Sequence, residues 1–368
     1  MLAPSPLTRT ETIRHIAETL VVGAVGGIAL GRVGFPAGWL SGSMLAVAIA
    51  ALIGRPMAIP TWLARVVYIL VGISLGAVVT PETLRGIATW PLSVAALAVA
   101  VVCITLGASA YLRAVHGWDR NTSMLASSPG ALSQVLIMAT DLGVDLRAVA
   151  IVQSIRIVIV AVGLPIGLVA LGLAGATTRT VGGPFRPDLI GELAILVVSS
   201  IILAIAFYRL RFPGGLLFGA MLMSAVLHGS GYVHAVMPWW VVIGAMITLG
   251  AVTGSRFANT PLRLLLRFVG AAFGSFAVAI SIASLFVVAL ATLSSFNAAG
   301  AAIAFAPGAV DVMMVLALAL NLDPVYVGAH HLARIIFVSL SLPLLVRHTR
   351  SQTAEAALPP RPPVEFRD

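Results

Sequence analysis

Displaced by 178 residues, the chain lies on itself: "SPGALSQVLIMATDLGVDLRAVAIVQSIRIVIVAVGLP" (128–165) matches "APGAVDVMMVLALALNLDPVYVGAHHLARIIFVSLSLP" (306–343) without a gap. Pro129 pairs with Pro307, Gly130 with Gly308, Asp145 with Asp323, Arg156 with Arg334 and Pro165 with Pro343. "FPAGWLSGSML" (35–45) matches "FPGGLLFGAML" (212–222) at an offset of 177, and "ISLGAV" (73–78) resembles "ITLGAV" (247–252). One unit is used twice, a pattern found in many transporter folds.

The unit is built for lipid. Of 368 residues, 60% are hydrophobic and 10% charged, with a mean hydropathy of +1.06, a composition selected by a bilayer. Apolar runs at 15–33, 62–80, 91–112, 190–208, 238–252 and 325–346 approach the roughly 20 residues of a spanning helix, and no sizeable soluble domain is left over. The expectation is an all-α polytopic membrane protein: a cytoplasmic lead (1–14), a first membrane repeat (15–175), a linking loop (176–189), a second repeat (190–347) and a Pro-rich, disordered tail (348–368). The first apolar run is read as a span and not as a cleaved signal.

All 22 basic residues are arginine, and they fall singly or in pairs between apolar runs. That is the pattern of topology signals, and it argues against a nucleic-acid-binding face. The one cysteine, Cys103, excludes internal disulfides and thiolate metal sites.

Inside each copy the Pro-Gly pair breaks the chain. The apolar stretches 131–142 and 309–320 each hold twelve residues, roughly 18 Å of helix against a hydrocarbon core of roughly 30 Å. Gly143 and Asn321 then suit a left-handed helix end, and Asp145 and Asp323 suit N-caps, the second with Pro324 behind it. Each copy thus reads as a half-helix, a surface turn and a full span. If both Pro-Gly segments re-enter there are ten spans, with 16 arginines on one side, four on the other, and Arg156 and Arg334 inside spans. With twelve spans (6+6) the division is 12 to 8. The positive-inside rule prefers ten. Five spans per half would invert one repeat against the other, so that the two tips meet near the midplane.

Broken backbone at that depth lines a protected or wet cavity, and the exposed helix starts attract anions. The candidate solute-binding residues are Ser128, Pro129, Gly130, Ser133, Gln134, Gln153 and Arg156 in the first copy, and Pro307, Gly308, Asp311, His331 and Arg334 in the second. A buried arginine costs several kcal/mol and faces a cavity or a partner. Each one either captures an oxyanion bidentately or ties off the free carbonyls of the broken helix beside it. Asp311 either pairs with Arg334 or couples a proton or Na+.

These paired motifs resemble the duplicated AbrB-type bacterial membrane proteins across roughly residues 17–346. The resemblance implies a multi-pass protein of the bacterial inner membrane, similar to inverted-repeat transporters of cations and organic anions. The family carries labels such as regulator of gene expression and ammonia monooxygenase. Ala131 and Ala309 stand where its motif has a second glycine, and Gln134 and Val312 where it has glutamate. No oxygenase ligand cluster and no DNA-reading element is legible, so neither an enzyme nor a direct nucleic-acid partner is expected, and no cofactor beyond a coupling H+ or Na+. Two functions remain open: a secondary transporter of a small anionic solute, or a membrane sensor that affects gene expression indirectly. A homodimer is compatible with either.

Overall fold

A computed structural model describes residues 9–79, 87, 90–130, 132–175, 182–293 and 297–356, without the side chains of 132–134, 141 and 343–356. Among the described residues the first seven α-helices are α1 (Arg9–Arg32), α2 (Gly38–Leu52), α3 (Thr61–Gly76), α4 (Trp90–His116), α5 (Arg120–Ser127), α6 (Leu132–Asp141) and α7 (Leu146–Ala170). Seven more follow in the same order: α8 (Ile190–Arg209), α9 (Gly215–Gly229), α10 (Trp239–Gly254), α11 (Leu262–Leu293), α12 (Ala298–Phe305), α13 (Val310–Ala319) and α14 (Pro324–Ala356).

The protein is an all-α polytopic membrane protein. Seven of the described helices are long and apolar enough to cross a bilayer, and α2, α3 and α9 are shorter apolar rods of 15, 16 and 15 residues. These ten are joined by two broken pairs, α5/α6 and α12/α13. Residues 348–356 continue α14 as helix where a disordered tail was expected, because no breaker intervenes before Pro359; residues 357–368 lie outside the described ones.

Equivalent termini are made by equivalent chemistry. Ala37 and Gly214 precede α2 and α9 in the left-handed conformation (φ 55° and 65°), and Pro60 and Pro238 cap α3 and α10. Asp119 and Asn297 each accept a backbone N–H three residues on, from Thr122 and Gly300. Asp145 accepts from the N–H groups of Arg147 and Ala148, and Asp323 from those of Val325 and Tyr326, as N-caps do. Gly143 and Asn321 take φ 64° and 58°, the left-handed ends expected of them.

One correspondence shifts. Counterpart caps place α3 on α10 at an offset of 178, whereas "ISLGAV" on "ITLGAV" requires 174. The match had slipped by four residues, about one turn, because small residues recur at that spacing on both helices.

The packing units are not the two sequence halves. Helices α1–α3 pack with α8–α10 in one bundle, and α4–α7 with α11–α14 in a second. In the first bundle, glycines let backbones touch. A Cβ at Gly72 or Gly76 of α3 would collide with the carbonyls of Leu217 or Met221 on α9, and one at Gly250 or Gly254 of α10 with those of Leu40 or Met44 on α2. Small residues at close crossings are how membrane helices pack. In the second bundle α4 and α11 run antiparallel: Gly107 faces Val278 and Ile282, Tyr111 faces Gly274, and His116 faces Gly270. Between bundles the contacts are sparse, chiefly α13 on α3 and α10 and α7 on α2, where Ser41 Oγ donates to the Ala161 carbonyl at 3.0 Å.

Leucine at Gly76 or Gly254 should overpack these crossings and cost about 1–3 kcal/mol, read as a lower thermal midpoint in detergent. Gly229→Leu, where nothing lies within 4 Å of an added Cβ, should leave the midpoint within experimental scatter.

Candidate functional site

Each broken pair is secured by the long helix that follows it. In the first copy, Gln153 Nε2 donates to the Leu125 carbonyl at 2.9 Å, while Arg156 reaches the carbonyls of Ala126, Ser127 and Ser128 at 3.4, 3.3 and 3.1 Å. In the second, His331 Nε2 lies 3.1 Å from the Ile303 carbonyl, and Arg334 donates to those of Ala306 and Gly308, both at 2.6 Å. His331 also takes a hydrogen bond from Arg334 on Nδ1, which leaves the proton on Nε2.

These bonds fix the direction of the breaks. From position 153 to 156 on α7 the partners advance from 125 to 128, so α5 runs parallel to α7 while α6 leads back to its start. Positions 331 and 334 on α14 read 303 and 306 in the same sense. Both segments are re-entrant hairpins with their tips at Pro129-Gly130 and Pro307-Gly308. Gly130 holds φ 92°, and a Cβ there would stand 3.4 Å from Arg334 Nε, so the tip of one copy rests against the arginine of the other.

Carbonyl capture therefore describes both arginines, with a remainder. Arg156 is 5% exposed and Arg334 1%, and the Nε of each has no hydrogen-bond partner. The two are electrostatic neighbours, and no Asp or Glu is among the buried described residues. Two cations thus share the depth of the protein without a buried counter-charge among the described residues.

A cavity of about 870 Å³ opens onto this point between the bundles, within the size range of small-molecule sites. The second bundle lines it with Gly130, Gln153, Arg156 and the Pro307-to-Asp311 tip; the first supplies Tyr68, Tyr208, Arg209, Arg211 and Arg256. Arg256 is half-buried, and Arg209 and Arg211 are exposed at the mouth.

Six of the twelve expected residues thus meet in one space: Gly130, Gln153, Arg156, Pro307, Gly308 and Asp311. Ser128 and Pro129 are buried without lining it, and His331 and Arg334 stand behind the wall. The side chains of Ser133 and Gln134 lie outside the described residues. Asp311 is not joined to Arg334 by any described ion pair. Arg334 is held by the carbonyls of its own hairpin, and Asp311 faces across the gap, where it and Arg256 flank the Tyr68 hydroxyl.

The residues of the first bundle were not foreseen. One signal was available: Arg211 occupies the place of Gly34 in the repeated "GRVGFPAG" and "YRLRFPGG". It keeps the glycine's left-handed backbone, φ 56° against 72°, at a cost of roughly 1–2 kcal/mol for a side chain.

Fold and site together define a polytopic helical membrane protein with paired re-entrant hairpins facing an internal cavity. The AbrB family, described as "Transition state regulatory protein AbrB", matches residues 39–350, and the chain belongs to it. It is 26% identical over 352 residues to "Uncharacterized protein YhjN" of Bacillus subtilis (strain 168), covering 89% of this chain and 91% of that protein. It is likewise 26% identical over 323 residues to "Putative regulator AbrB" of Escherichia coli (strain K12), covering 85% and 90%.

Replacing Arg334 with Met should bare the Ala306 and Gly308 carbonyls and cost about 3 kcal/mol or more, on the scale of 1–3 for each buried group left unsatisfied. Denaturant unfolding of the purified protein checks this, and a variant as stable as the parent would remove the structural role given to Arg334.

Proposed function

We propose that the protein is a secondary transporter of a small anionic solute, bound between the two bundles at the hairpin tips, in the bacterial inner membrane. The observation that carries this reading is the pair of deeply buried guanidiniums, Arg156 and Arg334, each with an unpartnered Nε and neither with a buried carboxylate among the described residues, beside a cavity that reaches Arg156. Buried cations in a membrane interior mark solute or ion pathways, and guanidinium suits carboxylate and other oxyanions.

Three features support it. The antiparallel run of α4 and α11, counterparts in the repeat, is the relation expected of inverted halves, whose tips then enter from opposite faces. Sparse contact between bundles leaves them free to shift about the site. The Ala309 N-cap of α13 carries no side-chain hydrogen bond, so first-turn N–H groups remain available to an anion. The proposal assigns no chemical reaction and no direct contact with DNA. Any effect on gene expression would follow from the solute moved, in keeping with the word regulator in one relative's name.

Solute uptake by reconstituted vesicles, screened with labelled organic anions, should fall at least about tenfold in Arg156→Ala, on the scale of losing a charge-assisted pair. Uptake unchanged in that variant would overturn the assignment. Orientation is tested separately in a Cys103→Ser background: Val144→Cys and Leu322→Cys should be labelled from opposite faces of the membrane, and labelling from one face refutes the inverted arrangement.

A further inference from the structure

Resting on that transport reading, we infer that the solute is an organic dianion, with two acidic groups on an apolar body, one presented to each bundle. Charge balance leads there first. The inner cavity faces Arg156, with Arg334 directly behind it, and Arg256 on the opposite wall, against the single carboxylate of Asp311. With Arg209 and Arg211 at the mouth, the arginines lining the cavity outnumber its one described carboxylate, and a solute with a single acidic group would leave more of these cations without an anion than one with two.

Placement leads to the same class. Arg156 lines the cavity from the hairpin side, and so does the start of α13, whose first-turn amides have no side-chain cap. Arg256 stands across the gap beside Tyr68. Between these poles the wall is apolar, with Ile157 and Ile335 from one bundle and Phe212, Leu217 and Phe218 from the other. A compact inorganic dianion would satisfy the charge and leave that wall without a partner. Arg211, held in a left-handed conformation where the other copy has glycine, adds a cation at the mouth on this side alone, and strain of this kind collects at functional sites.

Asp311 then has a definite part. Its counterpart in the first copy is Ser133, so the carboxylate belongs to one tip only, and it shares the Tyr68 hydroxyl with Arg256. The solute's second acidic group takes the same cationic wall, and Asp311 competes with it as a tethered anion. The sign is opposite to that of a residue that holds the solute: removing the Asp311 charge strengthens binding.

Calorimetric titration of the full-length protein in nanodiscs tests this with succinate, suberate and sebacate, each against its monomethyl ester, and with sulfate as the compact dianion. At least one dicarboxylate should bind about tenfold or more tighter than its monoester and than sulfate, Arg256→Gln should reduce that preference to about threefold or less, and Asp311→Asn should tighten the dicarboxylate by about threefold or more. Thermal midpoints of both variants near the parent's establish that they are folded; should Arg256→Gln unfold, Arg256→Lys serves in its place, with the same reduction expected. Monoesters binding as tightly as dicarboxylates, or weaker dicarboxylate binding in Asp311→Asn, overturn the dianion assignment while leaving anion transport standing. No binding by any of these anions overturns both.

Discussion

A helix that stops halfway through a bilayer leaves carbonyls with no water to meet them, and everything distinctive in this molecule follows from how they are met. Gln153 and Arg156 close the first break, and His331 and Arg334 the second, each from the helix that follows. Hydrocarbon offers no alternative donor, so these side chains hold the hairpins in place as well as charging their surroundings. Because a guanidinium carries five N–H groups, it can secure a backbone and still keep one directed elsewhere. The unpartnered Nε atoms are that surplus, and the proposed affinity for anions rests on the same two side chains that hold the hairpins.

The second constraint is how the halves are shared out. Neither packing bundle is one copy of the repeat; each takes its helices from both. Sequence symmetry therefore runs through the bundles, while the cavity lies between them. One wall is built from hairpin tips and tends toward symmetry. The other, with Tyr68, Arg211 and Arg256, comes from helices and turns whose chemistry differs between copies, and this makes the site lopsided although its frame is duplicated.

Local rules were legible in the sequence. Left-handed ends at Gly143 and Asn321, caps at Asp145 and Asp323, and the depth of Arg156 and Arg334 all follow from residue type and distance along one helix. What depended on two distant segments meeting was not. Asp311 looks to Arg334 along its own hairpin, yet the group it meets is the Tyr68 hydroxyl, which it shares with Arg256 across a bundle boundary that no spacing announces. Tyr68 and Arg209 read as part of a lipid span and as a topology signal, and became wall residues only through the pairing of α3 with α9. The repeat slipped by a turn at "ISLGAV" because glycine spaced by four residues looks alike in either register. Close helix contact selects that spacing, so the same physics that builds the crossing obscures its alignment.

Those crossings also bear on how the protein is made. Gly72 and Gly76 wait for Leu217 and Met221, and Leu40 and Met44 wait for Gly250 and Gly254, partners synthesised well over a hundred residues later. The first half must therefore leave the ribosome and enter the lipid with its glycine grooves empty, and it reaches its final shape only when the second half arrives to fill them. Duplication has made the two copies mutually obligate, each serving as the template on which the other finishes folding.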